Sequence, residues 1–385
     1  MPTTDCQDSS QQPTIDYNNK MFLAPMVRVG TLPFRLTVLD YGADLVWSEE
    51  LVDKRVIGSV RKYNPITKTI EYWKENKLTF STHENERGKI IFQLGTADPD
   101  LALKAALTVK EDVAGFDLNC GCPKRFSVHA GMGAALLTNP ELLKKILINL
   151  VQNVGLPVTC KVRLLEDMEK TKELLKMIES TGVKAITVHC RYRDQRSTTP
   201  ARWDEFKEAI SVVKSIPVAV NGDVFCYKDI ESIKEKTNAN SVMIARGAQY
   251  NPSAFRKEGL VSTREAAEAY IKWCVRVNNV YQNTKYVLLT MSNDPKYSKT
   301  DLYRKIQQAK SNQAICEIFG MESFYNEVQE LHKAREEEEA KKEEANGGAK
   351  RKLEEDGETK EEKKDEEPPT KTLKVDDEEQ AKAQS

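Results

Sequence analysis

One loop in this chain is built to present a thiol. Asn119-Cys120-Gly121-Cys122-Pro123 follows a short apolar run, Ala114-Gly115-Phe116-Asp117-Leu118, so a cysteine stands where a strand gives way to a loop. Polar residues recur at the ends of the other apolar runs: Gln93, Asn119, Lys161 with Arg163, His189, Asn221 and Arg246. Side chains alternate along a strand, so Lys161 and Arg163 point the same way, and two neighbouring cations repel unless something anionic lies between them. A bound anion resolves that repulsion; an ion pair of Lys161 with Asp117 or Glu49 is the alternative. His189 taken alone also reads as a hydrogen-bonded core histidine. Two glycine-bearing turns, Asn221-Gly222-Asp223 and Ala245-Arg246-Gly247, close the last two runs, where backbone N–H groups can hold a phosphate, although either glycine alone also reads as a plain turn.

These residues need a scaffold that brings strand ends together. Short β-rich runs recur at Met21–Ala24, Asp44–Trp47, Ile90–Gln93, Gly115–Leu118, Val158–Val162, Ala185–His189, Pro217–Asn221 and Ser241–Ala245. Amphipathic stretches of helical period separate most of them, at Asp98–Lys110, Pro140–Asn153, Asp167–Ser180, Trp203–Lys214 and Lys228–Thr237. Eight strands alternating with helices over about 240 residues predict a (β/α)8 TIM barrel, whose site gathers at the strands' C-terminal ends. A doubly wound sheet is the rival, but Ala24-Pro25-Met26 follows the first strand where that fold calls for a Gly-x-Gly-x-x-Gly turn. Lys54 to Arg87 is longer than one connection needs and predicts an insertion with a small hairpin at the barrel mouth.

After Thr263 the pattern turns helical, with predicted helices at Arg264–Val280, Asp301–Ile318 and Met321–Arg335. The domains expected are a flexible N-terminus at 1–19, the barrel at 20–260, a small all-helical domain at 261–335 and a disordered Glu/Lys-rich tail at 336–385, whose first part, to Glu344, can extend the last helix. The tail holds almost no large apolar residues and cannot offset the entropy of ordering itself.

Composition narrows the partners. The net charge is −1, but acidic residues concentrate after residue 333 and leave the remainder mildly basic, which suits a polyanion without requiring one. No apolar run approaches the roughly 20 residues that span a bilayer, and no basic, apolar leader opens the chain, so a cytoplasmic protein with no membrane partner is expected. Eight cysteines are scattered without a disulfide framework or zinc spacing, and no metal site is expected.

Seven of these elements, taken in order, resemble the tRNA-dihydrouridine synthases over roughly residues 20–330: Ala24-Pro25-Met26, Phe92-Gln93-Leu94-Gly95, Asn119 to Pro123, Lys161-Val162-Arg163, Thr187-Val188-His189, Asn221-Gly222-Asp223 and Ala245-Arg246-Gly247. Leu23–Leu32, Asp40–Ala43 and Gly131–Leu137 resemble the eukaryotic branch that modifies position 20 of the tRNA D-loop. The resemblance implies FMN across the barrel mouth, NADPH or NADH as reductant, and tRNA as substrate. It implies Ala24, Pro25 and Met26 lining the flavin ring, Gln93 and Lys161 on its polar edge, and His189, Asn221, Gly222, Asp223, Ala245 and Arg246 on its phosphate. It assigns Cys122 as the catalytic proton donor to C5 of uracil, Cys120 to packing, Asn119 and Arg163 to the substrate, and Lys124 and Arg125 to the tRNA backbone. Animal members of this branch carry a double-stranded-RNA-binding domain after the helical domain; nothing of that kind is read here, which is the fungal arrangement. A monomer is expected, and Lys350-Arg351-Lys352 is a candidate nuclear signal beside the plainer reading of a solubilising tail. Two other functions stay open: an FMN barrel acting on a small pyrimidine, and a tRNA-binding protein without catalysis.

Overall fold

Eight of the apolar runs become strands because they are buried on both faces. The computed structural model describes residues 15–357. In chain order the strands are β1 (Met21–Leu23), β2 (Leu45–Trp47), β3 (Leu51–Val52), β4 (Val60–Asn64), β5 (Thr69–Lys74), β6 (Lys77–His83), β7 (Ile90–Gly95), β8 (Gly115–Asn119), β9 (Val158–Arg163), β10 (Ala185–His189), β11 (Val218–Asn221) and β12 (Ser241–Ile244). The sheet runs β2-β1-β12-β11-β10-β9-β8-β7, every pairing is parallel, and β2 pairs again with β7, which closes an eight-stranded barrel. This is the predicted (β/α)8 architecture, and all eight predicted strands are present.

Helices start where the sequence caps them. Asp98, Asn139 and Asp167 each accept a backbone N–H of the following turn, and Pro99 and Pro140 occupy first-turn positions where no N–H is needed. Their apolar faces pack on outward residues such as Leu23, Val46, Phe92 and Leu118, all fully buried. Inside the barrel a second apolar cluster, with Phe22, Trp47, Ile91, Ala185, Ala219 and Met243, fills the floor. Polar groups are left for the upper interior.

Several expectations need correction. The segment 1–19 is not flexible throughout: Tyr17 is 3% exposed, sits edge-on to Phe22, and its carbonyl accepts from Ser241, because the barrel base needs an aromatic plug. Residues 1–14 lie outside the described part. The insertion forms the three-stranded antiparallel sheet β4-β5-β6 rather than a hairpin at the mouth. It reaches the opposite rim, where Arg61 and Tyr72 both bond Asp112 just ahead of β8. Phe80 packs edge-on against Phe92, and buried Arg35 pairs with buried Glu86 at 2.7 Å to tie the insertion to the first barrel helix.

Through residue 336 the barrel and the helical region pack as one unit, with Trp273 donating to Asp40 at 2.6 Å. The predicted helix Asp301–Ile318 is two helices, Asp301–Gln308 and Asn312–Phe319, because Ser311 turns extended and caps the second through the Ala314 N–H. Tyr281–Leu288 is a further helix that periodicity did not reveal. The last helix is Glu322–Gly357 and contains the expected extension to Glu344, in which Lys342 pairs with both Glu338 and Glu339 one turn back. Lys350 to Lys352 lie on this helix, and the tail beyond Gly357 lies outside the described residues. No helix among the described residues is long and apolar enough to cross a membrane.

Candidate active site

Strand alternation sends Gln93, Asp117, Asn119, Lys161, Arg163, His189 and Asn221 to the interior, above the apolar floor. Register sets them side by side: Gln93 opposite Asp117, Asn119 opposite Lys161, Arg163 opposite His189, and His189 opposite Asn221.

A hydrogen-bond chain ties the interior to the cysteine loop. Asp117 accepts from Thr159 at 2.6 Å and from Gln93 Nε2 at 2.7 Å, and Gln93 Oε1 accepts from Asn119 Nδ2 at 3.0 Å. Asn119 Oδ1 in turn accepts the backbone N–H groups of Gly121 and Cys122, at 2.9 and 3.0 Å. Arg163 holds the same loop from the other side, donating to the Gly121 carbonyl at 2.7 Å and to that of Tyr192 at 3.0 Å. Cys120 is fully buried with its sulfur 3.6 Å from that of Cys160, whereas Cys122 is half-buried. Of the two loop thiols, Cys122 is the one the mouth can reach.

Its surroundings keep that thiol protonated. Burial pushes Cys122 up, and the Glu50 carboxylate facing it pushes further in the same direction. Glu50 is itself raised by burial. Nothing in the sequence singled out Glu50, because it follows β2 while Cys122 follows β8, and only barrel closure brings them together.

The opposite side of the mouth is electropositive. Lys161 is pushed down to about 8, by burial first and then by Arg163. Among the described residues it has no ion pair: Asp117 is held by Gln93 and Thr159, and Glu49 by the Arg28 N–H. Arg163 is lowered to about 10 by burial and then Arg191. Burial, then Lys161, Arg163, Arg191 and Arg246, hold His189 well below its usual range, so its ring is neutral. Arg191, which the sequence did not mark, is 2% exposed and bonds Asp223 at 2.5 Å. Arg246 pairs with the same Asp223 oxygen, and the other Asp223 oxygen accepts the Ala201 N–H. Four cations thus converge on a neutral imidazole with one carboxylate among them, an excess that a dianionic phosphate would balance.

Gly222 has φ 131, a backbone state that favours glycine, and Asn221 anchors the turn by donating to the Met243 carbonyl at 2.9 Å. Gly247 serves packing, since a Cβ there would meet the Phe225 carbonyl at 2.4 Å. Ala24 is buried beside this rim, its N–H donating to the Ile244 carbonyl, and Pro25 and Met26 border the mouth half-buried. Ala245 precedes the short helix Arg246–Tyr250. Lys124 and Arg125 are both exposed, on the loop beyond Cys122, with the neighbouring Phe126 53% exposed. A groove of about 940 Å3 opens at the far end of the barrel; it is lined by both signs of charge, including Lys20, Asp44, Lys110 and Asp112, and holds none of these residues.

Fold and rim together define a (β/α)8 barrel with an anion cradle facing a protonated loop thiol. The chain belongs to the dihydrouridine synthase (Dus) family, whose profile matches residues 22–351. It is similar to a tRNA-dihydrouridine(20) synthase of Schizosaccharomyces pombe, 47% identical over 285 residues that cover 71% of this chain and 60% of the relative. A tRNA-dihydrouridine(20) synthase of Saccharomyces cerevisiae is 40% identical over 296 residues, covering 71% of this chain and 77% of that one. A tRNA-dihydrouridine(20a/20b) synthase of Schizosaccharomyces pombe is 35% identical over 234 residues, covering 60% and 67%. The chain therefore spans about 60% of the length of the first of these relatives.

Proposed function

We propose that this chain is an FMN-dependent tRNA-dihydrouridine synthase that reduces the C5=C6 bond of uridine 20 in the tRNA D-loop, with NADPH or NADH as reductant. The observation that carries this reading is the half-buried Cys122 thiol, pushed up by burial and by Glu50, in the same barrel mouth as Lys161. Identities of 47% and 40% to relatives named for position 20, against 35% to one named for 20a/20b, support the position.

The cradle of His189, Asn221, Gly222, Asp223, Ala245 and Arg246, backed by Arg191, has the charge to hold the FMN phosphate. Ala24, Pro25 and Met26 would border its ring, and Gln93 and Lys161 its polar edge. When bound, the flavin supplies the hydride for C6 of the uracil. Lys161 puts positive charge where negative charge develops in that transfer, in a site largely shielded from water.

Cys122 donates its Sγ proton to C5 from the other face of the base. A thiol that stays protonated at neutral pH suits a general acid. Asn119 and Arg163 fix the loop that carries the sulfur, and a displacement of about 1 Å in such a group can cost about a hundredfold in rate. A uridine inside folded tRNA must be extruded to reach this depth, so the protein must also grip the backbone around it, for which Lys124 and Arg125 stand at the rim. The experiment is position-specific mapping of dihydrouridine in tRNA from cells lacking the protein. Loss at position 20 with the other positions intact is expected; an unchanged position 20 would refute the assignment.

A further inference from the structure

Glu50 and Ser127 border Cys122 in a small polar nest, and neither of the two has a part in the reduction itself. Ser127 is fully buried, and its hydroxyl lies 3.5 Å from Glu50 Oε1. Two glycines make room for the group. A Cβ at Gly95 would meet Glu50 Oε1 at 2.9 Å and Cγ at 3.1 Å, and one at Gly133 would meet Ser127 Oγ at 2.5 Å and Cys122 Cβ at 3.0 Å. The Cys122 carbonyl is pinned by the Ala134 N–H at 3.0 Å, so the loop carrying the thiol is fixed to the wall that holds Ser127. A carboxyl group held half-buried between solvent and a sulfur is placed to move protons between them.

We propose that Glu50 is the positioning and relay residue of Cys122, holding the proton on the sulfur between turnovers and returning one to it after each transfer. This rests on the reading of Cys122 as the donor to C5. Donation breaks the S–H bond, forms a C–H bond at C5 and leaves a thiolate. The Glu50 carboxylate then takes a proton from solvent and passes it to the thiolate, re-forming S–H and leaving Glu50 a carboxylate again. A thiolate is the stronger base of the two, so the transfer from Glu50 to sulfur runs downhill. The charged groups facing the sulfur are Glu50 on one side and Lys161 and Arg163 on the other; Lys124 faces Glu50. The two cations favour thiolate and Glu50 opposes them. Removing the Glu50 charge therefore tips Cys122 towards thiolate.

The test is the pH dependence of Cys122 alkylation by iodoacetamide in the flavin-bound protein without tRNA, read on the Cys122 peptide by mass spectrometry. Glu50→Gln is expected to lower the midpoint by about one pH unit, so that labelling below the midpoint is about tenfold faster. Glu50→Asp, which keeps the charge but withdraws it by one methylene, should fall between, and serves where the Gln variant does not fold. In steady-state dihydrouridine formation Glu50→Gln should keep its first turnover and slow in later ones, with added imidazole restoring the rate. Midpoints equal to wild type in both variants would overturn the proposal. So would a slowing that imidazole leaves unchanged. Because alkylation needs no RNA, its result is separable from a failure of the wild-type protein to make dihydrouridine, which would instead refute the function proposed above.

Discussion

Lys161 is the residue on which cofactor binding and pH meet. Its folded value of about 8 lies below that of an unfolded lysine, so between about pH 8 and the ordinary lysine range the unfolded chain holds more protons and stability rises with pH. Below 8 the charged ammonium sits half-buried beside Arg163, a cost that an anionic partner relieves. Flavin affinity is therefore expected to weaken as pH rises through about 8, by about tenfold per unit beyond it, when measured by fluorescence titration of flavin-free protein. Lys161→Met should bind more weakly at pH 7 and lose that slope. A wild-type profile flat from pH 7 to 10 would contradict the assignment of Lys161 to the cofactor.

At the level of elements, the insertion is held by charge inside a core. Arg35 on the first barrel helix forms a two-pronged bond to Glu86, at 2.8 and 2.7 Å, and also donates to the Gly30 and Ser81 carbonyls. Both partners are buried, so Glu86→Ala leaves an uncompensated guanidinium and is expected to cost about 3–5 kcal/mol in urea unfolding. The double change Arg35→Met with Glu86→Leu should recover most of that loss, because no buried charge remains. A loss below about 1 kcal/mol for Glu86→Ala would mean that water reaches the pair. The eight strands were legible in the sequence because each is short, apolar and closed by a polar residue. The course of β4 to β6 was not, since local alternation shows a hairpin but cannot show that Arg61 and Tyr72 meet Asp112 at the barrel's far rim. The break at Ser311 was also hidden, because apolar spacing continues across it.

For the whole molecule, closure of the barrel converts residues far apart in sequence into one cup. Lys161, Arg163, His189 and Asn221 were readable because strand parity alone sends polar strand-end residues inward, and Cys122 because its loop directly follows such a strand. Glu50, Arg191 and the interior role of Asp117 were not, since each acquires its meaning from a partner on another strand. The central claim is that a thiol and a flavin address opposite faces of one uracil in that cup. The direct measurement is anaerobic stopped-flow mixing of NADPH-reduced protein with tRNA unmodified at position 20, following flavin reoxidation in wild type and in Cys122→Ala. Reoxidation about 10²–10⁴-fold slower in the variant is predicted, with reduction by NADPH unchanged. Equal rates of reoxidation in the two proteins would contradict the account.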